Sequence, residues 1–194
     1  MNIFDKNYYV DSKISNYVDY REKKFRDLAK DLLPFLIGKS VLDYGAATGG
    51  LMLELQKRHI YCEGTDISVW AVNYGKKHYN LEHLLHYYDP SLLMNNFDVV
   101  LFLDVLEHVP QDELELIFNS VISDILIIRI PVSAKEGEDF VLDVSKNDKT
   151  HIQIHSKQWW LDFFSVYGYS IFTPLDKVSI YDSEGVLAGI LQRT

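Results

Sequence analysis

The sequence is short of cysteine and of positive charge, and each shortage excludes a class of protein. Its one cysteine, Cys62, lies in an apolar, strand-like run, which excludes an internal disulfide and a multi-cysteine zinc site. The 19 Lys and Arg residues against 28 Asp and Glu residues give a net charge of -9, so the long-range field repels phosphate backbones. We therefore expect no duplex nucleic acid among the partners.

Long apolar runs and internal repeats are also missing. No apolar stretch is as long as a membrane span, and the residues after Met1 do not have the pattern of a signal peptide. No sequence period of roughly 20 to 50 residues recurs, as a repeat architecture requires. These absences predict a cytoplasmic protein with no membrane partner, and they leave the oligomeric state open.

The sequence does contain an alternation of strand-like and helix-like segments. The β-branched run 125–130 predicts a strand buried on both faces, and the apolar spacing after Pro110 predicts an amphipathic helix. An earlier helix is expected to stop at Pro34 and Gly38, and Ser156 is expected to cap a late one. This alternation predicts a mostly parallel sheet with helices on both faces.

The most informative segment is the strand 41–44, which runs into a turn of small residues. Gly45, Ala47 and Gly49 leave room for a ligand to approach the backbone closely, although a tight turn without a ligand has the same composition. Asp66 ends the next strand, where a carboxylate can accept both hydrogen bonds of a ribose diol or can cap the helix after Ser68. In such sheets the loops at the carboxyl ends of the strands line the site, here those after Tyr44, Thr65, Tyr88 and Leu103.

These segments resemble class I S-adenosylmethionine-dependent methyltransferases of the small-molecule type. The sequence differs from the usual family pattern in having Ala47 where glycine is common, and in a short segment around Tyr88 and Asp89. The resemblance covers residues 38–190 and rests on Asp43-x-Gly45-x-Ala47-x-Gly49, Asp66, Phe97-Asp98-Val99-Val100, Asp104-Val105-Leu106-Glu107-His108-Val109, His151-Ile152-Gln153-Ile154-His155-Ser156 and Gly168-Tyr169.

The resemblance implies a fold, a cofactor and a set of binding residues. The fold is a single α/β domain over residues 1–194, with a doubly wound, mostly parallel, seven-stranded Rossmann-like sheet and an antiparallel last strand. Residues 1–37 are expected to form a helical lid and residues 131–155 an acceptor-binding insert. The cofactor is S-adenosylmethionine, with S-adenosylhomocysteine as product. Its expected contacts are Tyr20, Arg21, Asp43, Gly45, Ala47, Gly49, Asp66, Ile67, Tyr88, Asp89 and Leu103.

Two of these regions have simpler alternatives. The lid is expected to cover the cofactor with an aromatic and basic cluster made of Tyr8, Tyr9, Tyr17, Tyr20 and Arg21. The same residues suit a helix packed on the edge of the sheet. By composition the insert suits a surface loop equally well.

Methyl transfer asks the protein mainly to align the acceptor with the sulfonium and to remove a proton. His108 and His151 are the candidate bases, and packing is the alternative role for each. We expect a small-molecule acceptor, such as a sugar or a phenolic metabolite, methylated on oxygen rather than nitrogen.

A metal site is a further possibility in the same segments. Similar patterns occur in O-methyltransferases acting on small-RNA 3′ ends and on catechol-like quinone precursors, where a divalent ion binds the acceptor oxygens. Glu107 and His108 are adjacent, so both could ligate only from a turn or a helix end. We predict a metal-free enzyme, and the metal-dependent alternative would use Asp104, Glu107, His108 and His151.

Two other functions share parts of the pattern. Gly45-x-Ala47-x-x-Gly50 with Asp66 nearly matches a nicotinamide dinucleotide fingerprint. However, the pair Tyr20 and Lys24 precedes this turn, whereas a short-chain dehydrogenase needs its Tyr-x-x-x-Lys after it. A non-catalytic module that binds the cofactor without turnover is the other alternative.

Overall fold

A computed structural model of the chain describes residues 4–10 and 21–194, in which helices alternate with strands. Ser156 caps the last helix as predicted, because its side chain accepts a hydrogen bond from the Trp159 N–H. Two 3₁₀ turns cover Pro90–Met94 and Leu106–His108. The helices are α1 Lys6–Val10, α2 Arg21–Leu36, α3 Gly50–Gln56, α4 Val69–Tyr79, α5 Gln111–Ser120, α6 Asp143–Asn147 and α7 Lys157–Val166, and the strands are β1 Ser40–Tyr44, β2 Tyr61–Asp66, β3 Leu85–Tyr87, β4 Val99–Leu103, β5 Ile125–Pro131, β6 Tyr169–Pro174 and β7 Val186–Arg193.

The seven strands form one sheet in the order β3-β2-β1-β4-β5-β7-β6. Strands β1 to β5 pair in parallel, whereas β7 inserts between β5 and β6 and runs antiparallel to both. The predicted doubly wound, mostly parallel sheet with an antiparallel last strand is therefore confirmed.

The strands at the centre of this sheet are buried on both faces, because helices cover both. Leu42 and Val100 belong to a core with α5 and α7, while Val41 and Val99 belong to a second core with α2 and α3. Consecutive side chains of a strand point to opposite faces, so each central strand supplies both cores. The predicted burial of the 125–130 strand follows the same rule, and Cys62 is buried in the second core as expected.

Helix α2 continues past Pro34 and ends just before Gly38, so only the second of the two predicted stop residues lies at its end. The helix ends at Leu36, and Gly38 follows with a φ of +74°. Leu32 and Leu36 are fully buried, one turn apart on the face that covers the sheet. Packing of that face outweighs the one backbone hydrogen bond that the proline removes.

No helix among residues 4–10 and 21–194 is both long enough and apolar enough to span a membrane. The carboxyl ends of β1, β2 and β4 meet at one edge of the sheet, and the loops that follow them build the candidate site.

Candidate active site

The turn after β1 binds directly to the end of β2. Gly45 and Ala46 both donate their N–H groups to the Thr65 carbonyl, at 2.9 and 3.0 Å. Gly45 has a φ of +84°, and a Cβ added there would lie 2.5 Å from Val105 Cγ2. Glycine is therefore required because the loop after β4 packs against this turn.

Asp66 is the acid that the sequence predicts for a ribose. It is 7% exposed, and its Oδ2 accepts the Ala47 N–H at 2.7 Å. Its Oδ1 accepts the Ser68 N–H at 2.8 Å and the Tyr9 hydroxyl at 3.3 Å. Burial raises the pKa of this carboxyl, and the three hydrogen bonds offset part of the rise. Asp66 thus holds the turn and the start of α4 in place while its carboxylate faces a cavity.

That cavity has a volume of about 250 Å³ and lies above the turn. Its wall is mostly aromatic and apolar, as is common for small-molecule sites. The predicted cofactor residues Gly45, Ala47, Asp66, Ile67 and Tyr88 are brought together in it. Its other lining residues are Phe4, Tyr8, Tyr9, Tyr44, Thr65, Asp104, Val105, His108, Val109, Pro110 and Glu113.

Two predicted cofactor residues, Asp89 and Gly49, line neither this cavity nor the smaller one beside it. The Asp89 carboxylate accepts hydrogen bonds from the Ser91 N–H at 3.1 Å and from the Ser91 hydroxyl at 2.5 Å, so it caps the turn 90–94. Gly49 has a φ of +74°, and a Cβ added there would lie 2.5 Å from Leu81 Cδ1. Its small size thus serves the packing beneath the turn.

A second, smaller cavity of about 30 Å³ lies against the same turn. The predicted Asp43 and Leu103 line it, together with Lys24 and Arg129, which sequence reasoning missed. Burial, helped by the charge of Asp66, raises the pKa of Asp43 to about 7. This cavity therefore combines two cations with a buried carboxyl.

Arg129 also fixes Asp104, which the sequence placed among possible metal ligands. The Arg129 Nε donates to Asp104 Oδ1 at 2.7 Å, and Nη2 donates to Oδ2. Burial acts to raise the pKa of Asp104, but the guanidinium outweighs it and the net pKa is lowered. Asp104 thus lies at the wall of the larger cavity, paired with Arg129, and is not grouped with the other three predicted metal ligands.

Three other predicted residues have side chains outside the described part of the structure. Tyr17 and Tyr20 lie outside the described residues, and so does the side chain of Arg21. Of the predicted aromatic cluster, Tyr8 and Tyr9 are described, and both line the larger cavity.

Glu107, His108 and His151 meet at one point. The first two lie in the turn 106–108, the arrangement in which adjacent residues can face the same point. One potential ligand atom from each of the three lies within 4.8 Å of the others. The Glu107 carbonyl accepts the N–H groups of Ile152 and Gln153, at 2.8 and 3.0 Å, which holds the segment carrying His151 beside the turn.

Hydrogen bonds fix the tautomers of both histidines. His108 Nδ1 lies 3.2 Å from the Thr150 carbonyl, and His151 Nδ1 lies 3.0 Å from the Ser145 carbonyl. A carbonyl oxygen only accepts, so both Nδ1 atoms carry hydrogen and both Nε2 atoms present lone pairs. The Thr150 hydroxyl donates to Asp148 at 2.6 Å and accepts from His108 Nδ1 at 2.9 Å, which secures the first assignment.

The two lone pairs face a buried acid. Each Nε2 lies 4.0 Å from Glu107 Oε1, and Oε2 has no hydrogen-bond partner among the described residues. Burial, then the charge of Asp104, raises the pKa of Glu107 well above its usual range. Burial also lowers the pKa of His108 to about 4 and lowers that of His151, so both imidazoles are neutral near pH 7.

Of the two histidines, His108 lines the larger cavity and His151 lies behind it. Phe4 and Tyr8 meet the His108 ring edge to face, with centroids 5.5 and 6.5 Å away. The Tyr8 hydroxyl donates to Asp148 Oδ2 at 3.1 Å, and that oxygen lies 3.7 Å from His151 Nε2. Sequence reasoning missed Asp148 and Thr150, which are short polar residues in a segment with no periodic signal.

A family model for methyltransferase domains matches residues 17–173, so the chain belongs to the methyltransferase domain family. This match confirms the resemblance inferred from the motifs. A comparison with curated proteins finds no match.

The solved structures that share the fold include the following three. Magnesium protoporphyrin IX methyltransferase from Synechocystis PCC 6803, with bound S-adenosylhomocysteine, has a TM-score of 0.65 and 20% identity, with 89% of this chain and 83% of that one covered. A SAM-dependent methyltransferase from Archaeoglobus fulgidus has a TM-score of 0.67 and 13% identity, with 89% and 94% covered. The N-terminal domain of EvdMO1, solved with S-adenosylhomocysteine and D-fucose, has a TM-score of 0.69 and 14% identity, with 89% and 84% covered.

Proposed function

We propose that this protein transfers the methyl group of S-adenosylmethionine to a hydroxyl oxygen of a small molecule. The observation that carries the proposal is one cavity lined both by the buried acid Asp66 and by His108, an imidazole whose Nδ1 contacts leave Nε2 as its basic nitrogen. Two similar structures were solved with S-adenosylhomocysteine, one of them together with a sugar, which supports this cofactor and this class of acceptor. Membership of the methyltransferase family sets aside the nicotinamide-dependent alternative.

We assign the two cavities to the two ends of this cofactor. Asp66 would bind the ribose diol in the larger cavity. Of the roughly four acceptor positions of its carboxylate, the two backbone N–H groups use two, so the diol would take the free position and displace the Tyr9 hydroxyl, which lies 3.3 Å away. The methionine end would pass Gly45 and Ala47, which line both cavities. Lys24 and Arg129 suit its carboxylate, and Asp43 suits its ammonium group.

The chain's own residues would then position the acceptor and take its proton. When bound, the sulfonium would supply an activated methyl group, whose carbon–sulfur bond would break as the acceptor oxygen bonds to the carbon. The hydroxyl proton passes to His108 Nε2, which the Thr150 contacts keep free of hydrogen. Phe4 and Tyr8 cover His108 and keep water from competing.

Calorimetry with S-adenosylhomocysteine tests the cofactor. We expect binding to the wild-type protein, loss of binding in Asp66→Ala and normal binding in Asp112→Ala, whose carboxylate is exposed on α5. Absence of heat with the wild-type protein would overturn the proposal. Formation of S-adenosylhomocysteine with hydroxylated sugars and phenols then tests turnover, and binding without turnover would indicate a non-catalytic module. We expect His151→Ala to keep cofactor binding and to slow transfer.

A second candidate is the metal-dependent form of the same reaction, favoured by the convergence of Glu107, His108 and His151. Glu107 Oε1 lies 4.0 Å from each of the two Nε2 atoms, and Glu107 Oε2 has no hydrogen-bond partner among the described residues. A divalent cation satisfies all three groups, and nitrogen with oxygen ligands suits Mn²⁺ or Zn²⁺. When bound, such an ion would act as a Lewis acid on the acceptor hydroxyl.

Titration with Mg²⁺, Mn²⁺ and Zn²⁺ in the presence of S-adenosylhomocysteine separates the two forms. The metal-dependent form requires heat with at least one ion, loss of that heat in His151→Ala, and activity that falls on chelation. His155→Gln is the matched control, because His155 binds Glu136 and Gln153 outside the cluster. No heat with any ion, and activity unchanged by a chelator, would leave the metal-free form that we predict from the sequence.

A further inference from the structure

Tyr44 carries a buried hydroxyl that nothing in the described part of the chain satisfies. The residue ends β1, is 5% exposed, and its hydroxyl has no hydrogen-bond partner among residues 4–10 and 21–194. Its ring packs against Phe102 with centroids 5.5 Å apart, and the side chain lines the larger cavity. A buried hydroxyl without a partner costs free energy, so a ligand group that pairs with it gains correspondingly.

The part of the ligand that reaches Tyr44 follows from the two cavities. With the ribose at Asp66 and the methionine end directed past Gly45 into the smaller cavity, the base must extend into the remaining space of the larger cavity. Tyr44, Tyr88 and Glu113 form a wall of that space, in which the Tyr88 hydroxyl donates to Glu113 Oε1 at 2.6 Å.

The loop after β3 offers this base no free backbone donor. The Tyr88 N–H donates to the Asp66 carbonyl at 2.9 Å, and the Asp89 N–H donates to the Thr65 hydroxyl at 2.8 Å. The next residue, Pro90, has no N–H. The Asp89 carboxylate, whose Oδ1 binds Ser91, is an acceptor and supplies no donor either. A donor for a ring nitrogen therefore has to come from elsewhere in the wall.

We propose that the Tyr44 hydroxyl donates a hydrogen bond to a ring nitrogen of adenine, and that the Glu113 carboxylate accepts one from the exocyclic amino group. This inference rests on the proposed cofactor. Burial also raises the pKa of the Tyr44 phenol, so the hydroxyl stays protonated and available as a donor at physiological pH. Glu113 uses one acceptor position for Tyr88 and has others to offer.

Such a pair would select adenine against its deaminated form. Hypoxanthine carries an N–H in place of the acceptor nitrogen N1 and a carbonyl in place of the amino group, so the Tyr44 donor and the Glu113 acceptor would each face a group of the wrong kind. A site built on such contacts rejects an analogue strongly, because its own polar groups are left unpaired.

The test compares S-adenosylhomocysteine with S-inosylhomocysteine by calorimetry. We expect the wild-type protein to bind the adenosyl compound at least about 100-fold more tightly. Tyr44→Phe is expected to lower the affinity for the adenosyl compound about 10-fold and the affinity for the inosyl compound much less. Glu113→Gln, whose amide offers a donor to the carbonyl of hypoxanthine, is also expected to reduce the preference for the adenosyl over the inosyl compound. Tyr181→Phe, an exposed tyrosine, is the control.

Thermal unfolding without ligand gives an independent measurement. Tyr44→Phe removes the unpaired hydroxyl and keeps the ring, so the ligand-free variant should be at least as stable as the wild type. If Tyr44→Phe lost affinity equally for both compounds, or if the ligand-free variant had a clearly lower Tm, Tyr44 would have a packing role and the inference would be overturned. No binding of either compound by the wild type would instead contradict the proposed cofactor.

Discussion

At the scale of single residues, Asp43 makes the stability of the ligand-free protein depend on pH. It is 4% exposed, and burial, then the charge of Asp66, raises its pKa from 3.8 to about 7. Between these values the folded state binds more protons than the unfolded state. The free energy of unfolding contributed by Asp43 therefore falls as the pH rises from about 4 to about 7.

Asp43→Asn removes this dependence, since an amide of similar size does not ionise. We expect the Tm of the ligand-free variant to exceed that of the wild type by roughly 5–10 °C at pH 8, and the difference to shrink at pH 5. Differential scanning calorimetry at both pH values measures it. Asp112→Asn, on the exposed face of α5, should show no such difference. An equal shift at both pH values would contradict the assignment.

The sequence predicted the site residues that follow local rules and missed those that depend on the tertiary structure. Asp66 could be predicted because an acid at the end of a strand that follows a small-residue turn is a local signal. Lys24 and Asp148 reach the site from a distant helix and a distant loop, so no spacing reveals them. Asp89 has the expected position in the chain, but Ser91 draws its carboxylate away from the cavity.

At the scale of elements, the cap of α7 is a measurable contribution. The Ser156 side chain accepts the Trp159 N–H at 3.3 Å and leads into a helix that buries Trp160 and Phe164. Ser156→Ala should lower the free energy of unfolding by about 1 kcal/mol, and with it the Tm by about 2–4 °C.

The matched control is Ser165→Ala in the same helix, where the serine is exposed and its hydroxyl donates to the Asp162 carbonyl. Alanine is the better helix former there, so the Tm should hold or rise slightly. Thermal denaturation followed by circular dichroism measures both variants. Similar losses in the two would mean that the cap at Ser156 contributes nothing of its own.

Elements were predictable where one physical signal dominated. The cap at Ser156 and the β-branched strand β5 are such cases. Pro34 was wrongly expected to help end α2, because the burial of Leu36 outweighs the proline two residues earlier. Helix α6 lies in a polar stretch without apolar periodicity, so the sequence did not indicate it.

At the scale of the whole molecule, cofactor binding should raise stability by mass action. With S-adenosylhomocysteine at about 100 times its dissociation constant, the free energy of unfolding should rise by about 2.7 kcal/mol, and the Tm by about 5–10 °C. NAD at the same concentration should leave the Tm unchanged. A shift with NAD and none with S-adenosylhomocysteine would contradict the assignment of the cavities to the sulfonium cofactor.

The topology was predictable because the alternation of strands and helices leaves few ways to cover a parallel sheet on both faces. The position of β7 between β5 and β6 was not, since both late segments read alike as short strands. The convergence of Glu107 with His151 was indicated only by the family resemblance, because the backbone hydrogen bonds from residues 152 and 153 that hold it have no local sequence signal.

The hydroxyls of Tyr8 and Tyr9, neighbours in α1, bind to two different parts of the site. The Tyr8 hydroxyl binds Asp148 beside the histidines, and the Tyr9 hydroxyl binds Asp66, the acid expected to hold the sugar of the cofactor. A cofactor that displaces the Tyr9 hydroxyl would also shift the Tyr8 hydroxyl, because the two residues are joined by one peptide bond. Thermodynamic reciprocity then requires that, by whatever factor the bound cofactor changes the affinity for the acceptor, the bound acceptor changes the affinity for the cofactor.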